Sequence, residues 1–278
     1  MGQVPSLGTV GEQTAQVRAA IVRAAETTGV DFDYLLAQAR IESSLDPAAR
    51  APTSSAAGLY QFTGGTWLAT LDRHGASHGL GWAGAAIDGG RVSDPGLRAQ
   101  IMALRFDPSA SALMAAELAN DNRAELQTSL GRTPDSTELY LAHFLGAEGA
   151  KSFLGALSAD PGQSAASLMP KAAAANRTIF FDGGAPRSLG GVMDLIRGKI
   201  ASAMESGSFA APSNHPITPG QTLTGGPLAH EFHAAALPPQ AAPRLSMAET
   251  LRATFGATGP AVPASVRSAY GKLQAFGL

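Results

Sequence analysis

The chain has 278 residues, enough to bury a substantial core and to form one or two domains. Charged residues make up 15% and the net charge is −2, so no strong field points to nucleic acid or an acidic membrane surface as partner. No apolar run reaches the roughly 18 residues of a membrane span, and the lack of cysteine excludes disulfides, thiol catalysis and Cys-ligated metals.

Aromatic residues are sparse at 6% and Ala is abundant, a balance that favours close-packed helices over sheet. The opening stretch MGQVPSLGTVGEQTAQ lacks the basic and apolar regions of a secretory signal, and residues 1–11 read as a loose leader. From about residue 12 to 28 a helical pattern carries Val17, Ile21, Ala24 and Ala25 on one side, and Gly29 supplies a stop. Asp31 then fits an N-cap, with Val30 before it as a staple residue. The next helix places Leu35, Ala39 and Glu42 at i, i+4 and i+7, and Asp46-Pro47 falls beyond its end.

Residues 50–65 read as a loop with a short apolar insert, followed by a helix over about 66–74. Residues 75–96, rich in Gly and small side chains, predict a long and partly irregular connection. Two stronger helices are predicted at about 108–130 and 135–146, the second opening at Asp135 or Ser136 and ending at Gly146. A shorter helix follows at about 150–158. Thr178-Ile179-Phe180-Phe181 is a β-like patch, and Asp182-Gly183-Gly184 after it is a turn signal. One more helix is predicted over about 188–204, with Val192, Leu195, Ile196 and Ile200. From about residue 205 the composition shifts to Pro, Ala, Gly and Ser, as in a linker, with short helices expected at 246–255 and 264–276. The helical part, 12–204, is thus expected to be all-α or nearly so.

Glu42 is the leading candidate for chemistry. A carboxyl group among Leu and Ala on a helix face fits a proton donor. The plain alternative is a Glu that faces solvent or pairs with Arg40 or Arg50. His74 and His78 have the i, i+4 spacing of a helical metal pair, but no acidic ligand is tied to them in sequence and glycines interrupt the helix. His230 and His233 lack the spacing of a zinc protease motif, and no cofactor is expected.

The stretches Ala39-Arg40-Ile41-Glu42-Ser43, Ser54-Ser55-Ala56-Ala57-Gly58-Leu59-Tyr60-Gln61-Phe62 and Thr66-Trp67 together resemble the catalytic core of soluble-type lytic transglycosylases, lysozyme-like enzymes of the glycoside hydrolase family 23 kind. The Glu-Ser pair and the Gly-Leu-x-Gln loop stand in order at suitable spacing. A third signature departs: Ala142-His143-Phe144-Leu145-Gly146 stands where Ala-Tyr-Asn-x-Gly is usual. With Tyr140-Leu141 before it and Ile179-Phe180-Phe181-Asp182-Gly183-Gly184 later, the pattern is similar to an alphaproteobacterial subgroup. The likeness spans roughly residues 15–200.

This resemblance implies a mainly α, lysozyme-like domain with a two-lobed substrate groove, acting on peptidoglycan strands in the periplasm or cell wall. It implies cleavage of the β-1,4 bond between N-acetylmuramic acid and N-acetylglucosamine to leave 1,6-anhydro ends, with Glu42 as acid and then base. Gly58, Leu59, Tyr60 and Gln61 would line the groove, Gln61 bonding the sugar. Ser43 completes the Glu-Ser pair, and Ser54 or Ser55 would bond the N-acetyl group or the Glu42 carboxyl. His143 stands in for the family tyrosine as a neutral donor to Glu42, or is a core histidine; Tyr140, one turn earlier, is the second source of a hydroxyl. A hydrolytic muramidase and a non-catalytic glycan-binding or assembly protein are the alternatives. The tail after about residue 205 would tether the domain to a secretion, flagellar or phage-like assembly.

Overall fold

From Leu7 to Ser206 the chain runs through helices joined by turns and by one long loop between residues 43 and 64; the computed structural model describes residues 7–52 and 54–206. The expected linker, the helices at 246–255 and 264–276, and His230 and His233 all lie outside the described residues.

Helix α1 (Leu7–Thr28) starts inside the stretch expected to be a loose leader. Gly8 and Gly11 cost helix stability, about 1 kcal/mol each, but α1 lies along α6 (Pro108–Leu130), and packing of that kind outweighs local propensity. Gly29 ends α1 with φ +72°. Asp31 caps α2 (Phe32–Ser43) by accepting the Tyr34 N–H at 2.8 Å, as expected. Leu35, Leu36, Ala37 and Ala39 are buried, which makes α2 an interior helix packed on α1 and on α11 (Leu189–Glu205).

Thr63 caps α3 (Gly64–His74) two residues earlier than the sequence pattern suggests. The expected irregular stretch holds more order than its glycines indicate: a 3-10 turn at Gly75–His78, a single turn α4 (Gly81–Gly84) and an Asp88–Arg91 bridge. Helix α5 (Pro95–Ala103) was not apparent in the pattern. Asp94 caps it and Pro95 sits in its first turn, a start signal that outweighs its weak periodicity.

Helix α7 (Ser136–Ala159) opens with a capping box made by Asp135 and Glu138. Its expected stop at Gly146 is a one-residue kink with φ 74° and ψ 160°, after which the helix resumes. Short helices α8 (Ala165–Leu168), α9 (Pro170–Ala175) and α10 (Arg177–Phe180) follow. The β-like patch at 178–181 is therefore corrected. Ile179 and Phe180 are wholly buried in a helical turn, Phe180 against Phe144, and that burial overrides their β propensity. Strand character is confined to β1 (Phe181–Asp182) and β2 (Ala185–Pro186), antiparallel around Gly183-Gly184. Both glycines have positive φ, as a two-residue hairpin turn requires. Ser188 caps α11, which packs on α2 and α7. The fold is mainly helical. Among the described residues no helix is long and apolar enough to cross a membrane.

Candidate functional site

Glu42 lies near the end of α2 with its side chain wholly shielded from solvent, at 0% exposure. The alternatives of a solvent-facing or Arg-paired carboxylate are excluded by the neighbours. Arg40 reaches the Ala203 carbonyl at 2.8 Å, and Arg50 lies over the Phe106 ring. What meets the carboxyl group comes from α7: the Tyr140 hydroxyl donates to Oε1 at 2.9 Å, and His143 Nε2 is 3.3 Å from the same oxygen. Both expected supports, 98 residues or more along the chain, are thus at Glu42 together. Their spacing of three residues puts them on one face of α7, and their rings lie 5.8 Å apart. Oε2 is buried and has no hydrogen-bond partner among the described residues.

Two further polar residues of α2 share this stripe and were not singled out in the sequence. Tyr34, Gln38 and Glu42 stand at i, i+4 and i+8, all buried, and Gln38 Oε1 also has no partner among the described residues. Burial raises the Tyr34 hydroxyl above the ordinary tyrosine range; the Glu42 charge raises it further, against a smaller pull from Arg123. Tyr140 is likewise raised, first by burial and then by the charge of Glu42 and its bond to it. Phenols in this setting remain protonated donors. The spacing 34/38/42 was a legible signal: polar side chains recurring on an otherwise apolar helix.

The chain then turns sharply. Ser44 and Leu45, directly after the Glu-Ser pair, have φ of 55° and 67°, and Gln61 has φ 48°. These are the non-glycine residues with positive φ among those described; two directly follow the Glu-Ser pair, and Gln61 lies in the loop to which Ser43 is bonded. Left-handed backbone at such residues costs roughly 1 kcal/mol or more each, and clusters where geometry serves function.

The loop from 50 to 62 is bolted to α2 at two points. Ser43 Oγ donates to the Leu59 carbonyl at 2.8 Å, and the Tyr60 hydroxyl donates to the Leu35 carbonyl at 3.1 Å. Here the expectation of groove-lining side chains needs correction. Leu59 and Tyr60 are buried in the core, and burial, then Tyr34, raises the Tyr60 hydroxyl well above its usual range. Apolar bulk drives both inward against α2. Gln61 Nε2 donates to the carbonyls of Gly58, at 2.8 Å, and Ala49, at 3.3 Å, so its amide nitrogen holds the loop itself together. Its Oε1 is buried and has no partner among the described residues. Ser54 Oγ accepts from the Ala56 N–H and Ser55 Oγ from the Gly64 N–H. Both are local bonds to backbone N–H groups, of the kind serines make in turns.

Nothing in the local residue pattern singles out Arg105, yet it is central to the loop. Its Nη1 donates to the carbonyls of Ser55, at 2.6 Å, and Phe62, at 3.0 Å, clamping the two arms of the loop together. Gly58, with φ +81°, presses on the same residue: a Cβ there would sit 1.8 Å from the Arg105 carbonyl oxygen. The glycine of the Gly-Leu-x-Gln segment is thus demanded twice, by its backbone angle and by contact. Burial, with Arg50 and Arg98 nearby, brings the Arg105 guanidinium down to about 10.

His74 and His78 do acquire acidic neighbours, supplied by α6 rather than by the local sequence. His74 Nε2 lies 2.9 Å from Asp121 and His78 Nε2 lies 2.6 Å from Glu117, fastening α3 and the following turn to α6. Among the described residues no group of three or more His, Asp or Glu side chains is arranged to hold a metal ion. No protein-family model matches the chain.

Proposed function

We propose that the protein is a peptidoglycan lytic transglycosylase, with Glu42 as its one acid and base. The observation that carries the reading is the Glu42 carboxyl itself: buried, held at one oxygen by a tyrosine hydroxyl, and among the described residues without an Arg or Lys pair and without a partner for its other oxygen. In that reading Oε2 carries the proton given to the glycosidic oxygen. The C1–oxygen bond breaks, and the 2-acetamido group of the muramic acid stabilises the charge at C1. Ionised Glu42 then takes the proton of the C6 hydroxyl as that oxygen closes on C1, leaving a 1,6-anhydro sugar without consuming water. Tyr140 supplies the supporting hydroxyl that the His143 departure removes from the usual position. Ser43, Gly58 and Gln61 serve by holding the loop against α2, and periplasm or cell wall is the compartment that this substrate implies.

A second reading draws on a specific observation. With its side chain at 0% exposure, Glu42 meets a glycan only after the site opens, which also suits a glycan-binding or assembly protein that keeps the acid as a buried structural group. A hydrolase on this scaffold would need a second acid to position water; Asp46 and Asp94, both in loops, accept instead from the Ala48 and Leu97 N–H groups.

Mass spectrometry of muropeptides released from purified sacculi separates the readings. Anhydro ends that vanish in Glu42→Gln are the expected result. Reducing ends identify a hydrolase, and no release by the wild type across pH sinks both catalytic readings.

A further inference from the structure

Gln38 and Glu42 stand one helical turn apart within α2, both buried. Residues at i and i+4 of an α-helix share a face, with Cβ atoms about 5–6 Å apart. Helical side chains lean toward the N-terminus, so the Glu42 carboxyl lies over the turn that carries Gln38. Its charge is felt in that direction: after burial, Glu42 is the next influence on the Tyr34 hydroxyl, one turn further back. Oxygen Oε1 of Glu42 belongs to α7, since Tyr140 donates to it and His143 Nε2 lies 3.3 Å from it. That leaves two buried oxygens on one face of one helix, Glu42 Oε2 and Gln38 Oε1. Neither has a hydrogen-bond partner among the described residues.

A carboxylate oxygen and an amide oxygen can only accept, so with Glu42 ionised both stay unsatisfied, a costly state for buried polar atoms. A proton on Oε2 turns one of them into a donor and satisfies both. We propose that Gln38 is a positioning residue whose amide oxygen accepts from the Oε2–H of Glu42 and holds the carboxyl in its acid form. This rests on the reading of Glu42 as acid and base, and deepens it. The Oε2–H···Oε1 bond is lost when Oε2 passes its proton to the glycosidic oxygen, and it forms again when Oε2 takes the proton of the C6 hydroxyl. Gln38 itself neither gives nor takes a proton. Tyr140 acts in the opposite sense, because a hydroxyl that donates to Oε1 favours the carboxylate, whereas an oxygen that accepts from Oε2–H favours the acid. One group can then serve both halves of the reaction, with a neighbour for each state.

Infrared spectroscopy of the full chain tests this without substrate. Subtracting the spectrum of Glu42→Gln from that of the wild type isolates the Glu42 carboxyl, whose acid form has its own C=O band. In Gln38→Met, a near-isostere without the oxygen, measured against Gln38→Met/Glu42→Gln, the band should move to higher frequency and vanish about one pH unit lower. Tyr140→Phe should shift the same midpoint upward, and merely loosened packing would not give opposite signs. Around the pair stand Tyr34, Tyr140 and His143, with Arg123 of α6 acting on Tyr34, while Arg40 reaches the Ala203 carbonyl of α11. Histidine is the one side chain among these whose ordinary range lies near neutrality, so the comparison is repeated with His143→Asn. An unchanged band and midpoint in Gln38→Met overturn the proposal. So does a midpoint that rises, which would mean that the amide nitrogen faces Glu42 and favours the carboxylate. Should Gln38→Met fail to fold, Gln38→Leu gives the same comparison. These results leave the glycan reading to the muropeptide assay, whereas a wild type with no acid band across the range overturns both Gln38 as its support and Glu42 as the acid.

Discussion

Replacing Tyr140 by Phe removes one oxygen from the centre of the site and keeps the ring. The lost bond is the 2.9 Å contact to Glu42 Oε1, between two fully buried side chains. A hydrogen bond to a charged group contributes about 1.5–3 kcal/mol net, against about 1 kcal/mol for a neutral pair. The upper range applies when Glu42 is ionised, because Oε2 has no partner among the described residues to take over the load. For a domain of this size each kcal/mol moves the melting temperature by about 2–4 °C, so a fall of about 4–10 °C is expected. If the same bond holds Glu42 for proton transfer, turnover falls about 10- to 100-fold, one factor of ten for each 1.4 kcal/mol or so. Urea unfolding of the wild type, Tyr140→Phe, Glu42→Gln and the double variant isolates the pair, with a coupling of about 1–2 kcal/mol expected. Coupling below about 0.3 kcal/mol, inside the usual scatter of additivity, would show that the hydroxyl does not hold the carboxyl.

Gly58→Ala should cost about 3 kcal/mol or more, since it adds overpacking to a left-handed backbone, the new Cβ lying 1.8 Å from the Arg105 carbonyl oxygen. Gly29→Ala, also at positive φ but with open space around it, is the control at about 1 kcal/mol; equal losses in urea would refute the close-contact argument. Stability should also fall above pH 10 or so. Tyr34, Tyr60 and Tyr140 are raised by burial, so in alkali the unfolded chain releases protons that the folded chain keeps. The stabilisation is complete below the unfolded tyrosine value and is lost as pH rises beyond it. Each tyrosine removes about 1.4 kcal/mol per pH unit there, some 4 kcal/mol for all three. Chemical denaturation from pH 8 to 11 checks this, and a flat profile would mean that the phenols are not shielded.

Local physics wrote much of this fold into the sequence. Asp31, Asp135 and Ser188 start helices because a short polar side chain satisfies an orphan N–H nearby, and Gly29 and Gly183-Gly184 turn the chain because only they take those angles at little cost. The 3.6-residue period put Glu42 on the buried face of α2 by the same logic, before any partner was known. What lay beyond that reach was every contact between distant segments. Tyr140 meets Glu42 across 98 residues because α7 packs beside α2, and Arg105 clamps the loop from a helix end 43 to 50 residues away. Leu59 and Tyr60 turn inward, and Thr178-Ile179-Phe180 becomes a helical turn, because burying apolar area against neighbouring helices outweighs local preference. Residue type and spacing determined that an acid would stand at the buried end of α2. Tertiary packing decided what holds it there, since complementarity between remote side chains exists only once their helices are brought together.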